Sequence, residues 1–211
     1  MSQHDRWNEQ YRAGNLPWDS GRTDPHLERF VAAQGLGGGR VLEIGCGTGT
    51  NAVWLASRGF SVVAVDVAPL AIERARARAS AAQVTLELLV ADILRDPLPA
   101  GPFDLAYDRG VLHVFDEPAD RARVAAAVAG VLAPGARWLC LAGSTEGAPA
   151  EMGPPRRTLR ELADAIEPHL ALEEVRLGTF GDSAEFPDPA PAWRLVLRKR
   201  EVPAQPSSRR G

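Results

Sequence analysis

The sequence predicts an α/β fold: a doubly wound, mostly parallel sheet of seven strands with an antiparallel strand at its C-terminal end. Three observations predict it. Short apolar runs alternate with helix-compatible segments along most of the 211 residues; the first run, Arg40 to Ile44, breaks into glycines at alternate positions, Gly45, Gly47 and Gly49; and later runs lead into Asp66, Asp92 and Asp108. Strands buried on both faces read as near-continuous apolar runs, and their ligand sits at the carboxyl ends, where these polar residues fall.

In chain order, His4 to Ala13 is helix-compatible, puts Trp7 and Tyr11 on one face, and is ended by Gly14. Leu16 to Arg22 is a loop, and Asp24 caps a helix with Pro25 in its first turn, carrying Leu27, Phe30 and Val31 towards Gln34. Gly35 to Gly39 break the chain before the first strand. Residues 1–38 thus read as a helical cap folded back on a core spanning 39–200, together one domain.

After the glycine loop, Asn51 to Arg58 forms a short helix stopped by Gly59. Phe60 to Val65 is the second strand, and Pro69 opens a helix rich in alanine and arginine to about Ala79. Val84 to Val90 is the third strand, followed by the loop Asp96-Pro97-Leu98-Pro99, and Phe103 to Tyr107 is the fourth. Asp116-Glu117-Pro118 starts a helix with its body over Ala122 to Leu132, and Pro134-Gly135 turns into a fifth strand, Arg137 to Ala142. Gly143 to Pro155 is a loop long enough for a lid or substrate-binding role. A helix from Thr158 to Ile166, a strand from Leu170 to Leu177, a proline-rich loop and a strand from Trp193 to Leu197 complete the fold. No helix separates the last two strands, which predicts the antiparallel member. Glu201 to Gly211 reads as a disordered tail, and no internal repeat is visible.

Composition narrows the partners. The formal net charge is −3, so no basic excess favours a nucleic-acid backbone or an anionic membrane surface, and a small molecule is the expected partner. Two cysteines, Cys46 and Cys140, lack metal-ligand spacing, so neither a disulfide framework nor a metal site is expected. No signal-peptide core opens the chain, and no run reaches the roughly 18 apolar residues of a membrane span, which predicts a reducing cytoplasmic setting. Asp116 and Glu117 could suggest a divalent metal, but acids at a helix start explain them. Arg74, Arg76 and Arg78, two apart, are read as a solvated helix face.

Two ligands compete for the glycine loop. A dinucleotide fingerprint has glycine at its first, third and sixth positions, and the sixth, counted from Gly45, is Thr50. That pattern is incomplete. Asp66 stands near where an acid grips ribose hydroxyls, a requirement shared by any ribose-bearing ligand. Glu43, an acid inside a buried strand, needs a partner or hydrogen bonds to be tolerated there.

The ordered stretches LEIGCGTGT, VVAVDVAP, ADI and FDLAYDRGVLH, between residues 40 and 143, resemble the motifs of class I S-adenosylmethionine-dependent methyltransferases, whose Rossmann-like fold ends in an antiparallel strand. By that resemblance the backbone from Gly45 through Cys46 and Gly47 to Gly49 packs against the cofactor's methionine portion. Asp66, with Val67 beside it, takes the ribose hydroxyls, Asp92 with Ile93 meets the adenine, and Glu43 organises the loop or the cofactor's ammonium. WNEQYRAGNLPWDSGR and DRGVLH are similar to a narrower branch, the thiopurine, thiol and tellurite-resistance methyltransferases. There the leading aromatics close over the cofactor, making Trp7, Tyr11 and Trp18 lid residues, and Asp108 and Arg109 line the acceptor site. His113 follows and could deprotonate an acceptor or shape its pocket.

The reaction so implied is in-line methyl transfer to a small molecule, a thiol, chalcogen or quinol- or phenol-type hydroxyl. Proximity and water exclusion matter most. A phenol or amine needs a base, for which His113 and Asp108 are the candidates. Two alternatives stand beside it: methylation of a macromolecule, and a non-catalytic S-adenosylmethionine-binding module.

Overall fold

The computed structural model describes residues 3–14, 16–147, 153–181 and 190–200. The expected tail, Glu201 to Gly211, lies outside them, as do 148–152 of the loop after the fifth strand and 182–189 of the proline-rich loop.

Two helices, α1 (Gln3–Ala13) and α2 (Pro25–Ala33), precede the sheet. Asp24 caps α2 by accepting from the His26 N–H at 2.7 Å, a contact worth about 1 kcal/mol at a helix start. Then β1 (Arg40–Ile44), α3 (Thr50–Ser57), β2 (Ser61–Asp66), α4 (Pro69–Ala81), β3 (Glu87–Val90) and β4 (Phe103–Arg109) alternate. A 3₁₀ turn (Leu112–Val114) leads to α5 (Pro118–Val131), β5 (Leu132–Gly143), α6 (Leu159–Ile166), β6 (Leu170–Thr179) and β7 (Pro191–Lys199).

The sheet has seven strands in the order β3-β2-β1-β4-β5-β7-β6. β7 runs antiparallel to both neighbours, β5 and β6, and the other pairings are parallel. The expected mostly parallel sheet with an antiparallel last strand is therefore present. β3 and β5 differ in extent from their apolar runs because of their pairing. Only Glu87 to Val90 finds a partner on β2, so Val84 to Leu86 remain in the connection. β5 begins at Leu132, because Leu132 pairs Phe103 across an irregularity that absorbs Pro134 and Gly135.

Side chains alternate between two buried layers. Leu42, Ile44, Val63, Val65, Trp138 and Cys140 pack with α5 and α6; Val41, Val62, Ala64, Tyr107 and Leu139 pack with α2, α3 and α4. Burial on both faces is why the strands lack polar alternation. Register places Ile44 beside both Val65 and Asp108, and Asp66 beside Val90, so the carboxyl ends of β1 to β4 form one edge. The glycine loop, Asp66, Asp92 and Asp108 meet along it.

Candidate active site

The glycine loop leaves β1 through three left-handed residues, Gly45, Gly47 and Gly49, with φ of 64°, 56° and 80°. Space as well as conformation demands glycine. A Cβ on Gly45 would lie 2.3 Å from Val111 Cγ2, and one on Gly49 2.8 Å from Ala75 Cβ. The Cys46 N–H donates to Val65 O at 3.0 Å, and its thiol is buried, 3.8 Å from Gly47 O.

Asp66 faces this loop from the end of β2. Its Oδ2 accepts from the Gly47 N–H and its Oδ1 from the Ala68 N–H, both at 2.9 Å, and the Val67 N–H also turns to it. Burial raises its pKa to about 6 despite these donors. A bare backbone cradle beside a buried carboxylate fits the amino-acid and ribose portions of S-adenosylmethionine, a ligand without a pyrophosphate. Asp92 accepts from the Leu94 N–H at 3.0 Å and lies 3.5 Å from Arg95 Nε; Ile93 is half-buried against the α5 layer.

Glu43 points into the layer under α3. The Asn51 side chain and the Ala52 N–H hydrogen-bond its carboxyl, while burial lifts its pKa to about 8. It thus carries a proton at neutral pH and ties β1 to the first turn of α3.

The N-terminal segment packs over the loop. Trp7 and Tyr11 meet Trp18 edge-on, with ring centroids 5.5 and 6.3 Å apart, and the Tyr11 hydroxyl sits 3.1 Å from where a Gly47 Cβ would be. Thr48 Oγ1 donates to Asp19 Oδ2 at 2.8 Å, and the Leu70 N–H to Asn8 Oδ1 at 3.1 Å. The arginines of α4 keep to the expected solvent side, Arg74 and Arg76 exposed and Arg78 half-buried, while each reaches a backbone carbonyl. Arg74 donates to Tyr11 O at 2.6 Å, Arg78 to Thr48 O at 2.9 Å, and Arg76 to Leu88 O at 3.1 Å. Arg74 and Arg78 stand one helical turn apart on one face, the first reaching the N-terminal segment and the second the glycine loop.

On the other side of the edge, Asp108 is fully buried and its pKa is raised by that burial to about 6. Its oxygens accept from the Val111 N–H and Trp138 Nε1–H, each at 2.9 Å, and the Cys140 thiol also bonds it. Arg109 pairs with neither Asp108 nor Asp116. Its Nε lies 2.8 Å from Asp24 Oδ2, one amino group donates to Trp18 O at 3.0 Å, and the guanidinium lies 5.4 Å from the Phe180 ring centre. His113 is buried, edge-on to Phe180 at 5.5 Å, and its Nδ1 accepts from the Gly143 N–H at 2.5 Å. The other nitrogen, Nε2, therefore bears the proton. Burial, with the Arg157 and Arg109 charges, depresses its pKa to about 3.

Sequence reading missed Asp24, Asn51, Arg74, Arg78 and Phe180 as parts of this edge. Asp24 signalled only a helix cap; the others carried no signal. No group of three or more His, Cys, Asp or Glu residues that could hold a metal occurs among the described residues, and no helix there is long and apolar enough to cross a membrane.

Comparison with known proteins identifies the family. The sequence pattern described as thiopurine S-methyltransferase matches residues 2–176. A probable thiol methyltransferase 2 of Arabidopsis thaliana is 33% identical over 137 residues, covering 64% of this chain and 60% of the relative. A 2-heptyl-1-hydroxyquinolin-4(1H)-one methyltransferase of Mycobacteroides abscessus is 28% identical over 196 residues, covering 86% and 85%. A structure solved for the conversion of a disulfide bond into a thioacetal group during echinomycin biosynthesis superposes with a TM-score of 0.80 at 26% identity, covering 94% of each chain. With that match spanning residues 2–176, the chain belongs to the thiopurine S-methyltransferase family of S-adenosylmethionine-dependent methyltransferases.

Proposed function

We propose that this chain methylates a small molecule that presents its acceptor atom as an anion, a thiolate or the oxyanion of an acidic hydroxyl. The observation that carries the reading is the polarity of the acceptor side: the Arg109 cation and the protonated Nε2 of His113 flank one aromatic ring, Phe180. S-adenosylmethionine supplies a methyl group already activated by its sulfonium. The protein's share is then to hold the two reactants in line and exclude water. Glu43, the glycine loop and Asp66 shape the cofactor side; Trp18, Tyr11 and Trp7 cover it; Arg109 orients an anion. The names of the Arabidopsis and Mycobacteroides relatives, one a thiol and one a hydroxyquinolone methyltransferase, support acceptors of this kind.

In this reading His113 is a hydrogen-bond donor, because its accepting nitrogen is occupied by Gly143 and its pKa lies far below neutrality. Asp108 is a positioning residue whose carboxylate fixes the turn at Val111. Neither acts as a base.

Two measurements test the proposal. Calorimetry should show binding of S-adenosylhomocysteine and none of NAD, and a panel of thiols, N-hydroxyquinolones and phenols should yield S-adenosylhomocysteine from the more acidic members. Binding of NAD, or turnover confined to amines, contradicts it. The pH dependence of kcat/KM should follow the pKa of each acceptor. His113→Asn should leave that inflection in place; an inflection near pH 6.5 common to all acceptors and lost in the variant would restore His113 as the base.

A further inference from the structure

A line of hydrogen bonds, closed by one ion pair, runs through the protein between the two sides of this edge. Glu43 is bonded by the Asn51 side chain, whose Oδ1 accepts from the Asp24 N–H at 2.8 Å. Asp24 Oδ2, fully buried and without a hydrogen bond of its own, forms an ion pair with Arg109 Nε at 2.8 Å, and Arg109 donates to Trp18 O at 3.0 Å. The line joins β1, the first turn of α3, the cap of α2, the end of β4 and the aromatic segment over the glycine loop.

Capping α2 needs only one oxygen of Asp24, and Oδ1 does that work with His26. The second oxygen lies against a guanidinium that is itself largely shielded, with 17% of its side chain exposed. Little water competes for that ion pair, so its geometry is set by its two partners. Asn51 fixes the backbone of Asp24 from the other direction, and α3 begins directly after Gly49. Beside the line, Glu43 Oε2 and the Tyr107 hydroxyl, cross-strand neighbours, have no hydrogen-bond partner among the described residues. No second set of bonds through these two atoms braces it.

We infer that Asp24 and Asn51 are positioning residues that couple the glycine loop to Arg109, so that cofactor binding sets the acceptor-side arginine and the cap segment above it. The inference rests on the proposed cofactor site. A displacement of the loop on binding passes through Asn51 to Asp24, and through the ion pair to Arg109 and Trp18.

Hydrogen exchange measured with S-adenosylhomocysteine as the probe tests it without knowledge of the acceptor. In the wild-type protein, saturation should slow exchange about threefold or more in peptides covering 45–50, 16–24 and 109–115. Asp24→Asn keeps the α2 cap but sets an amide NH₂ against Arg109, and Asn51→Ala removes both bonds of the amide. Each variant should retain the response at 45–50 and lose it at 109–115, with binding of the probe weakened less than the remote protection. Should Asn51→Ala not fold, Asp24→Asn alone decides. An unchanged response at 109–115 in the variants, or wild-type protection confined to 45–50, overturns the coupling. A parallel loss of probe binding and melting temperature in both variants assigns these residues a purely structural role. Absence of probe binding by the wild-type protein removes the cofactor site, and this inference with it.

Discussion

Replacing Asp66 with alanine is expected to weaken S-adenosylhomocysteine binding by about two orders of magnitude or more, since two charge-assisted hydrogen bonds contribute about 1.5–3 kcal/mol each. The loss has two sources. At the proposed cofactor site the ribose would lose its acceptor, and the Gly47 and Ala68 N–H groups, which now donate to Asp66, would lose theirs. The carboxyl also gives binding a pH dependence of definite sign. Burial raises its pKa to about 6, above the ordinary carboxylate value near 4, so the folded protein holds this proton more tightly than the unfolded chain. Its contribution to stability is therefore greatest at low pH and falls as pH rises from about 4 through 6. Hydroxyl donors favour the ionised form, so ligand binding should release a proton near pH 5 and tighten about tenfold between pH 5 and 7. Calorimetry in buffers of different ionisation enthalpy reads the proton directly. Asp66→Asn should abolish the dependence, and affinity that is flat across this range in the wild-type protein counts against Asp66 as the ribose ligand.

Gly45→Ala is expected to be strongly damaging, because it combines a left-handed backbone with a steric clash. The left-handed backbone costs a non-glycine residue about 1–2 kcal/mol, and overpacking against Val111 adds about 1–3 kcal/mol. A fall in melting temperature and loss of cofactor binding should appear together. Gly45→Ala combined with Val111→Ala separates the two causes: it relieves the contact and leaves the backbone cost, so it should recover part of the stability and little of the binding. Full recovery of both would mean that the conformation of Gly45 is unimportant.

The fold was legible because its determinants are local. β1, β2 and β4 are apolar runs that end in glycine or aspartate, and α2, α4 and α5 open with proline in the first turn. Register was not local: the truncation of β3 and the early start of β5 depend on which residues of β2 and β4 stand opposite. The strand-end edge was legible for the same reason as the fold, since Gly45, Gly47, Gly49 and Asp66 mark it by spacing; that spacing left two ligands open, and only the family resemblance chose between them. The acceptor side was not legible. Arg109 could have paired with Asp108 one residue away or with Asp116 within the same segment, yet its partner is Asp24, brought near only by the packing of α2. His113 reads in sequence as a histidine with an ordinary pKa; its burial and the Gly143 N–H on its Nδ1 are properties of tertiary structure.

The place of β7 in the sheet constrains the order in which the protein is built. It is made after β5 and β6, yet it lies between them. Until it arrives, β5 presents an open edge along Leu139, Cys140 and Leu141, residues fully buried in the finished sheet, and β6 has no strand to pair with. An unpaired apolar edge invites association with other chains. Before β7 pairs, the edge of β1 to β4 can already be assembled while the opposite half of the sheet still exposes an unpaired apolar strand.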